Sequence, residues 1–199
     1  YGGVIGAAIG IVVFAKVKKD KVKLTAVLDI TSLGFLIGQA VGRWGNFFNR
    51  EAFGAATDSF FKMGLYKDVL ADGRIVDSMT VHYYHPTFLY ESVWNLCGFL
   101  LLHFLSKRRK YDGQVALGYV AWYGLGRTFI EGLRMDSLYW GPVRVSQLLA
   151  AVSCVAAVVV LIVMMVRPQD PAKLFVNVKA AQAELQEEEQ SNEEVSENE

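Results

Sequence analysis

Strongly basic balance, cysteine frameworks and histidine clusters are all missing from this 199-residue chain. It holds two cysteines, four prolines and three histidines. Cys97 and Cys154 lie far apart in apolar runs. They offer neither metal-ligand spacing nor a disulfide framework, and each is expected to be a small buried hydrophobe. The apolar segments show no strict alternation of polar and apolar residues, which argues against a membrane β-barrel. No internal repeat is present. The net charge of zero conceals a segregation. Glu184 to Glu199 carries eight glutamates and no lysine or arginine, so residues 1–183 hold all 20 basic residues against 12 acidic ones. The body is basic and the tail is an acidic, aromatic-free string expected to be disordered, with helix-forming character only over 180–189.

What is present is apolar length. The chain is 53% hydrophobic with a mean hydropathy of +0.27, beyond an ordinary soluble domain. Five segments stand out: Gly2–Ala15, Leu24–Val41, Thr87–Leu105, Gln114–Leu133 and Val145–Val166, the last interrupted only by Ser146, Gln147 and Ser153. Only helices and closed barrels satisfy the backbone in lipid, so each is predicted to be a membrane helix. The expected fold class is an all-α polytopic membrane protein, a helix bundle with a small extracytoplasmic insertion. Gly2–Ala15 is short for a crossing, the chain opens on Tyr1, and no signal peptide pattern precedes the run. The sequence is expected to begin inside a helix, with earlier material missing.

Basic clusters set the orientation. Lys16, Lys18, Lys19, Lys21 and Lys23 join the first two segments, Lys107 to Lys110 the third and fourth, and Arg167 follows the fifth. The positive-inside rule places all three in the cytoplasm. The expected organisation is two spans over 1–48 (the first truncated), an extracytoplasmic head over 49–85, three spans over 86–167 and a cytoplasmic tail over 168–199. Asp72-Gly73 is a turn signal between Tyr66–Leu70 and Arg74–Tyr84 and predicts a hairpin in the head. Trp122, Tyr123, Tyr139 and Trp140 read as interface-belt aromatics, and Gly2, Gly3, Gly6 and Gly10 as close helix packing.

Polar residues within these spans point to chemistry. Arg43 lies 20 residues beyond Lys23, about 30 Å up a helix, at the outer edge of the hydrocarbon. Asn46, Asn49 and Glu51 follow it. Tyr123, Arg127, Glu131 and Arg134 recur at intervals of four, four and three and form one helical stripe climbing to the same interface. His85 and Glu91 open the third span from that side. Intramembrane arginines face protein or water and need anionic company, which glutamates or a phosphate supply; the guanidinium fork suits phosphate, and the abundant phosphate at that depth is a lipid head group. A transporter or channel subunit is the competing class, but it predicts polar residues at the midplane and inner half, where Asp29 is the main exception to an apolar run. A non-catalytic scaffold leaves the clustered arginines unexplained.

With YGGVIGAAIG at the start, GRWGNFFNREAFG over 42–54, HPTFLYE over 85–91, YGLGRTFIEGLR over 123–134 and VSQ over 145–147, the chain resembles the prolipoprotein diacylglyceryl transferase family. The resemblance covers Tyr1 to about Val166. It implies a seven-helix protein of the bacterial cytoplasmic membrane, with its active site near the outer leaflet; five helices fit a piece lacking the first two. It implies transfer of a diacylglyceryl group from phosphatidylglycerol to the lipobox cysteine thiol of a prolipoprotein signal peptide, forming a thioether. No cofactor and no metal are implied, and the partners are membrane lipids and the precursor, not nucleic acid. Arg43, Arg127, Glu131 and Tyr1 are the implied catalytic positions, the last occupied by histidine in some members. Arg43, Asn46, Asn49, Glu51, Gly54, His85, Tyr123 and Arg134 are the implied substrate-binding ones. The base that takes the thiol proton is left open among Tyr1, His85 and a glutamate.

Overall fold

The computed structural model describes all residues except 1, 19–20, 71–73, 135–138, 141–142 and 198–199. Five helices form over the five apolar segments: α1 (Gly2–Val17), α2 (Leu24–Asn49), α3 (Thr87–Ser106), α4 (Gln114–Glu131) and α5 (Val145–Val166). Of these, α2, α3 and α5 are long and apolar enough to cross a membrane. Their outward faces carry Ile30, Val41, Phe48, Val93, Phe104, Val155 and Val166 exposed, as lipid-facing surfaces are. The chain is a helical membrane protein. Cys97 corrects the expectation of burial: it lies on an exposed apolar face of α3, and only Cys154 is partly covered.

The bundle is centred on α2, α3 and α4, with α5 laid along α4. Leu36, Leu102 and Val115 form the buried core, flanked by Leu33, Phe99, Tyr119 and Trp122. Small residues set the α4–α5 approach: a Cβ on Gly124 would stand 2.7 Å from the Ala150 carbonyl oxygen. Polar stitches add to this packing. Gln39 Nε2 donates to Tyr119 Oη at 3.0 Å, Ser92 Oγ to the Ala40 carbonyl at 2.9 Å, and Gln147 Nε2 to the Thr128 carbonyl at 2.9 Å. α1 lies loosely against α2. No described heavy atom lies within 4 Å of a Cβ built on Gly2, Gly3, Gly6 or Gly10 beyond the helix itself, so these glycines do not make the expected close helix contact here.

Asp29 has a structural assignment that spacing did not reveal. Its carboxylate is buried and accepts from the backbone N–H groups of Gly113 and Ala116, both at 2.9 Å. An acid of α2 thus caps the N-terminus of α4, whose first N–H groups have no intrahelical acceptor. The inner-half exception belongs to helix capping, not to a permeation path. Asp29→Ala is expected to cost about 1–2 kcal/mol, read as a lower melting temperature of the purified protein; an unchanged melt would remove the cap from the account.

The insertion forms a hairpin of β1 (Met63–Val69) and β2 (Ile75–Tyr84), antiparallel, with a register shift between Leu65 and Lys67. The expected Asp72-Gly73 turn lies outside the described residues. Phe53, Leu65 and Tyr84 make a second small core beneath the hairpin. Tyr84 Oη donates to the Lys67 carbonyl at 2.9 Å, and burial raises the phenol above its ordinary pKa. Two-residue strands β3 (Tyr139–Trp140) and β4 (Val143–Arg144) precede α5. After Arg167 a single tight turn, Pro171–Lys173, leads into α6 (Phe175–Glu197). The tail is therefore helical where disorder was expected; its Ala, Gln, Glu and Leu residues are strong helix formers.

Candidate functional site

The site is built where the C-terminal ends of α2 and α4 meet the start of α3. α2 is 26 residues long, about 39 Å, so its last turns reach past a hydrocarbon slab of about 30 Å. Beyond them the chain turns sharply: Arg50 and Ala52 both adopt left-handed backbone (φ 53° and 55°), and the Arg50 and Glu51 N–H groups close onto the Phe47 and Asn46 carbonyls. The returning strand is caught from two sides. Gly54 N–H donates to the His85 carbonyl at 2.9 Å, and Ala55 N–H donates to the Leu133 carbonyl at 3.0 Å. Thr87 Oγ1 donates to the Ala52 carbonyl. The starts and ends of three helices are thereby tied at one level.

Glu91 is the hub of that level. It sits one turn into α3 and is 5% exposed. Its Oε2 meets Arg43 Nη2 at 2.7 Å; its Oε1 meets Arg127 Nη1 at 3.2 Å and Arg134 Nη1 at 3.6 Å. Arg127 Nη2 also reaches Glu131 Oε2 at 2.6 Å, an ion pair without good hydrogen-bond alignment, and Glu131 is 2% exposed. Arg144 Nη1, from the threshold of α5, donates to the Glu131 carbonyl. Three guanidiniums from α2, α4 and the turn after α4 thus share two buried carboxylates. Such an arrangement holds charged donors fixed in a low-dielectric pocket, where they act more strongly than in water.

Of the implied site residues, Arg43, Arg127, Glu131 and Arg134 are brought together. α4 ends at Glu131 rather than Leu133, so Arg134 joins the cluster through the following turn and its bridge to Gly54, not as part of the helical stripe. Tyr123 stacks on Tyr119 (ring centroids 5.8 Å apart) and, with Arg127, Ser146 and Ala150, lines a narrow cleft of about 170 Å³ between α4 and α5. Asn46 contributes its carbonyl to the turn. Asn49 and Glu51 bond each other at 3.1 Å on the exposed side of that turn and stand apart from the arginine cluster. His85 Nδ1 lies 3.2 Å from Tyr90 Oη. Tyr1 lies outside the described residues.

Glu91 was expected at this level but not as its hub, and Arg144 is the member that the sequence reading did not nominate. The signal for that role is that Glu91 is the only acid of α3, where a single charge in an apolar helix must find partners. Gly54 has a steric reason for being glycine. A Cβ there would stand 2.7 Å from His85 Cβ and 3.0 Å from the Leu133 carbonyl oxygen. Gly54→Ala is expected to cost about 1–3 kcal/mol and to shift Arg134, read together as a lowered melting temperature and reduced activity; a variant equal to the parent in both would contradict the close approach.

Comparisons with known proteins bear on the chain as a whole. A sequence model of the prolipoprotein diacylglyceryl transferase family matches residues 1–163. Proteins named phosphatidylglycerol–prolipoprotein diacylglyceryl transferase are similar over most of the chain. The Enterococcus faecalis protein is 45% identical over 182 residues, 89% of this chain and 62% of that protein. One from Listeria monocytogenes serotype 4a is 41% identical over 172 residues, 86% and 60% respectively. One from Bacillus cytotoxicus is 40% identical over 164 residues, 82% and 59%. The chain spans about three fifths of the length of these relatives. Identity of this extent over four fifths or more of the chain, together with the family match, leaves one conclusion: this chain belongs to the prolipoprotein diacylglyceryl transferase family.

Proposed function

We propose that the complete protein transfers the diacylglyceryl group of phosphatidylglycerol to the thiol of the lipobox cysteine in a prolipoprotein signal peptide. The observation that carries this reading is the gathering of Arg43, Arg127 and Arg134 around Glu91. A lipid phosphate arriving there meets planar donors already oriented by carboxylates, and the guanidinium fork matches its oxygens. The cysteine thiolate attacks the glycerol carbon that bears the phosphate ester. The carbon–oxygen bond breaks, the carbon–sulfur bond forms, and glycerol phosphate leaves carrying the electron pair. Arg43 and Arg127 neutralise the charge that builds on the departing phosphate oxygens, a large catalytic contribution when donors are placed in advance. The same cations lower the thiol pKa from its free value of about 8.5 and favour the attacking thiolate. The thiol proton goes to a base among Tyr1, His85 and a glutamate.

The positive-inside rule puts this level at the outer leaflet of the cytoplasmic membrane, with the hairpin outside and the acidic helix α6 inside. Glu131 holds Arg127, Gly54 sets the turn that carries Arg134, and Tyr123 lines the cleft through which an acyl chain can lie beside Arg127. The test is direct: the complete protein in vesicles containing labelled phosphatidylglycerol, given a lipobox peptide, yields labelled thioether peptide, and a peptide with serine in place of the cysteine does not. Absence of transfer with the cysteine peptide would overturn the assignment.

A further inference from the structure

Just below the arginine level, α3 and α4 are joined by two tryptophans in a reciprocal arrangement. Trp94 Nε1 donates to the Trp122 carbonyl at 3.0 Å, and Trp122 Nε1 donates to the Trp94 carbonyl at 2.9 Å. The indoles stack with centroids 4.5 Å apart and planes 19° from parallel. Trp122 is thus bonded inside the bundle and is not the interface-belt residue its sequence position suggested. Each indole also lies over a glycine of the opposite helix. A Cβ on Gly98 would fall 2.3 Å from Trp122 Nε1, and one on Gly126 would fall 2.1 Å from Trp94 Nε1. Both helices carry the same tryptophan-then-glycine spacing of four residues, Trp94 with Gly98 and Trp122 with Gly126. The contact is a local two-fold match.

We infer that this tryptophan–glycine clamp is a positioning element that fixes the register of α3 against α4, and through it the placing of Arg127 on Glu91. Glu91 precedes Trp94 by three residues, and Arg127 follows Gly126 directly. Within lipid, apolar contact alone does not fix how far one helix slides along another; close packing at small residues and interhelical hydrogen bonds do. A slip of one residue moves the helix by about 1.5 Å and takes both N–H···O bonds out of range together. The same slip would draw Arg127 off Glu91, where the pair stands at 3.2 Å. The catalytic consequence rests on the function proposed above; the register does not.

Two measurements on the complete protein separate these levels. The first is a double-mutant cycle of Glu91→Gln and Arg127→Gln read in melting temperature, run in the parent and in a Gly98→Ala background. Gly98 lies seven residues past Glu91, and the nearest atoms its added methyl would meet belong to the Trp122 indole. Coupling present in the parent and lost with Gly98→Ala is the expected result; equal coupling in both backgrounds would overturn the clamp's positioning role. Where Gly98→Ala fails to fold, Trp122→Phe, which removes the N–H donor without adding bulk, replaces it under the same criterion. The second is turnover with labelled phosphatidylglycerol, expected to fall about tenfold or more in the same variant, as a misplacement of about an ångström does. Turnover equal to the parent's despite lost coupling would sever the clamp from catalysis. A parent without transfer activity would refute the proposed function while the coupling result still judges the clamp.

Discussion

Arg127→Lys is expected to lower diacylglyceryl transfer by about two to three orders of magnitude, equivalent to about 3–4 kcal/mol of transition-state stabilisation. The charge survives the substitution and the geometry does not. Arg127 uses one nitrogen on Glu91 at 3.2 Å and the other on Glu131 at 2.6 Å, spanning two carboxylates with one rigid plane. A lysine ammonium is a single point on a flexible stem and can favour only one of them. It also loses the paired donors that meet two oxygens of one phosphate. Thioether formation by the purified variant, compared with the parent at the same phosphatidylglycerol content, reads the effect, and Lys107→Arg at the opposite end of the bundle serves as the charge-conserving control. A parental rate for Arg127→Lys would contradict the phosphate-holding role.

The second large effect is on the fold. Glu91→Leu removes the carboxylate shared by Arg43, Arg127 and Arg134 and leaves their guanidiniums facing a buried apolar side chain. Removing one partner of a buried charged set costs about 3–5 kcal/mol, because the remaining charge keeps its desolvation penalty without its compensation. That is a large fraction of the total stability of a domain. The variant is expected to accumulate poorly and to melt well below the parent. Glu91→Gln keeps the shape and an accepting oxygen, so it is expected to fold closer to the parent while binding the arginines less firmly. A Glu91→Leu protein that melts like the parent would show that Glu91 is a bystander.

Much of this arrangement was legible in the sequence, for reasons particular to each residue. The five apolar runs gave five helices because lipid leaves the backbone few other ways to satisfy its hydrogen bonds. Arg43 could be placed by counting residues from Lys23, since helix rise converts sequence distance into depth. Tyr123, Arg127 and Glu131 could be aligned by period. What counting cannot give is which helices touch, so Glu91 was placed at the right level without being identified as the common partner of three arginines. Asp29 was left without a role for the same reason: its ligands are backbone N–H groups of α4, which carry no sequence signature. Trp122 looked like an interfacial anchor because its partner, the Trp94 carbonyl, belongs to another helix. Arg134 fell on the stripe by arithmetic, yet it reaches the cluster by a turn that Gly54 makes possible. In the tail, charge pattern argued for disorder, while the intrinsic preference of Ala, Gln and Glu gave a helix.

Guanidinium groups from separate helices holding one lipid phosphate are the core of the proposed mechanism. Solid-state magnetic resonance on the complete protein in phosphatidylglycerol vesicles reads this directly, as dipolar coupling between the lipid phosphorus and arginine side-chain carbons. Strong coupling that is reduced by Arg43→Lys and by Arg127→Lys, and unaffected by Arg108→Lys just beyond the C-terminal end of α3, is the predicted result. Coupling that persists in both Arg43→Lys and Arg127→Lys, or that vanishes only with Arg108→Lys, would contradict it.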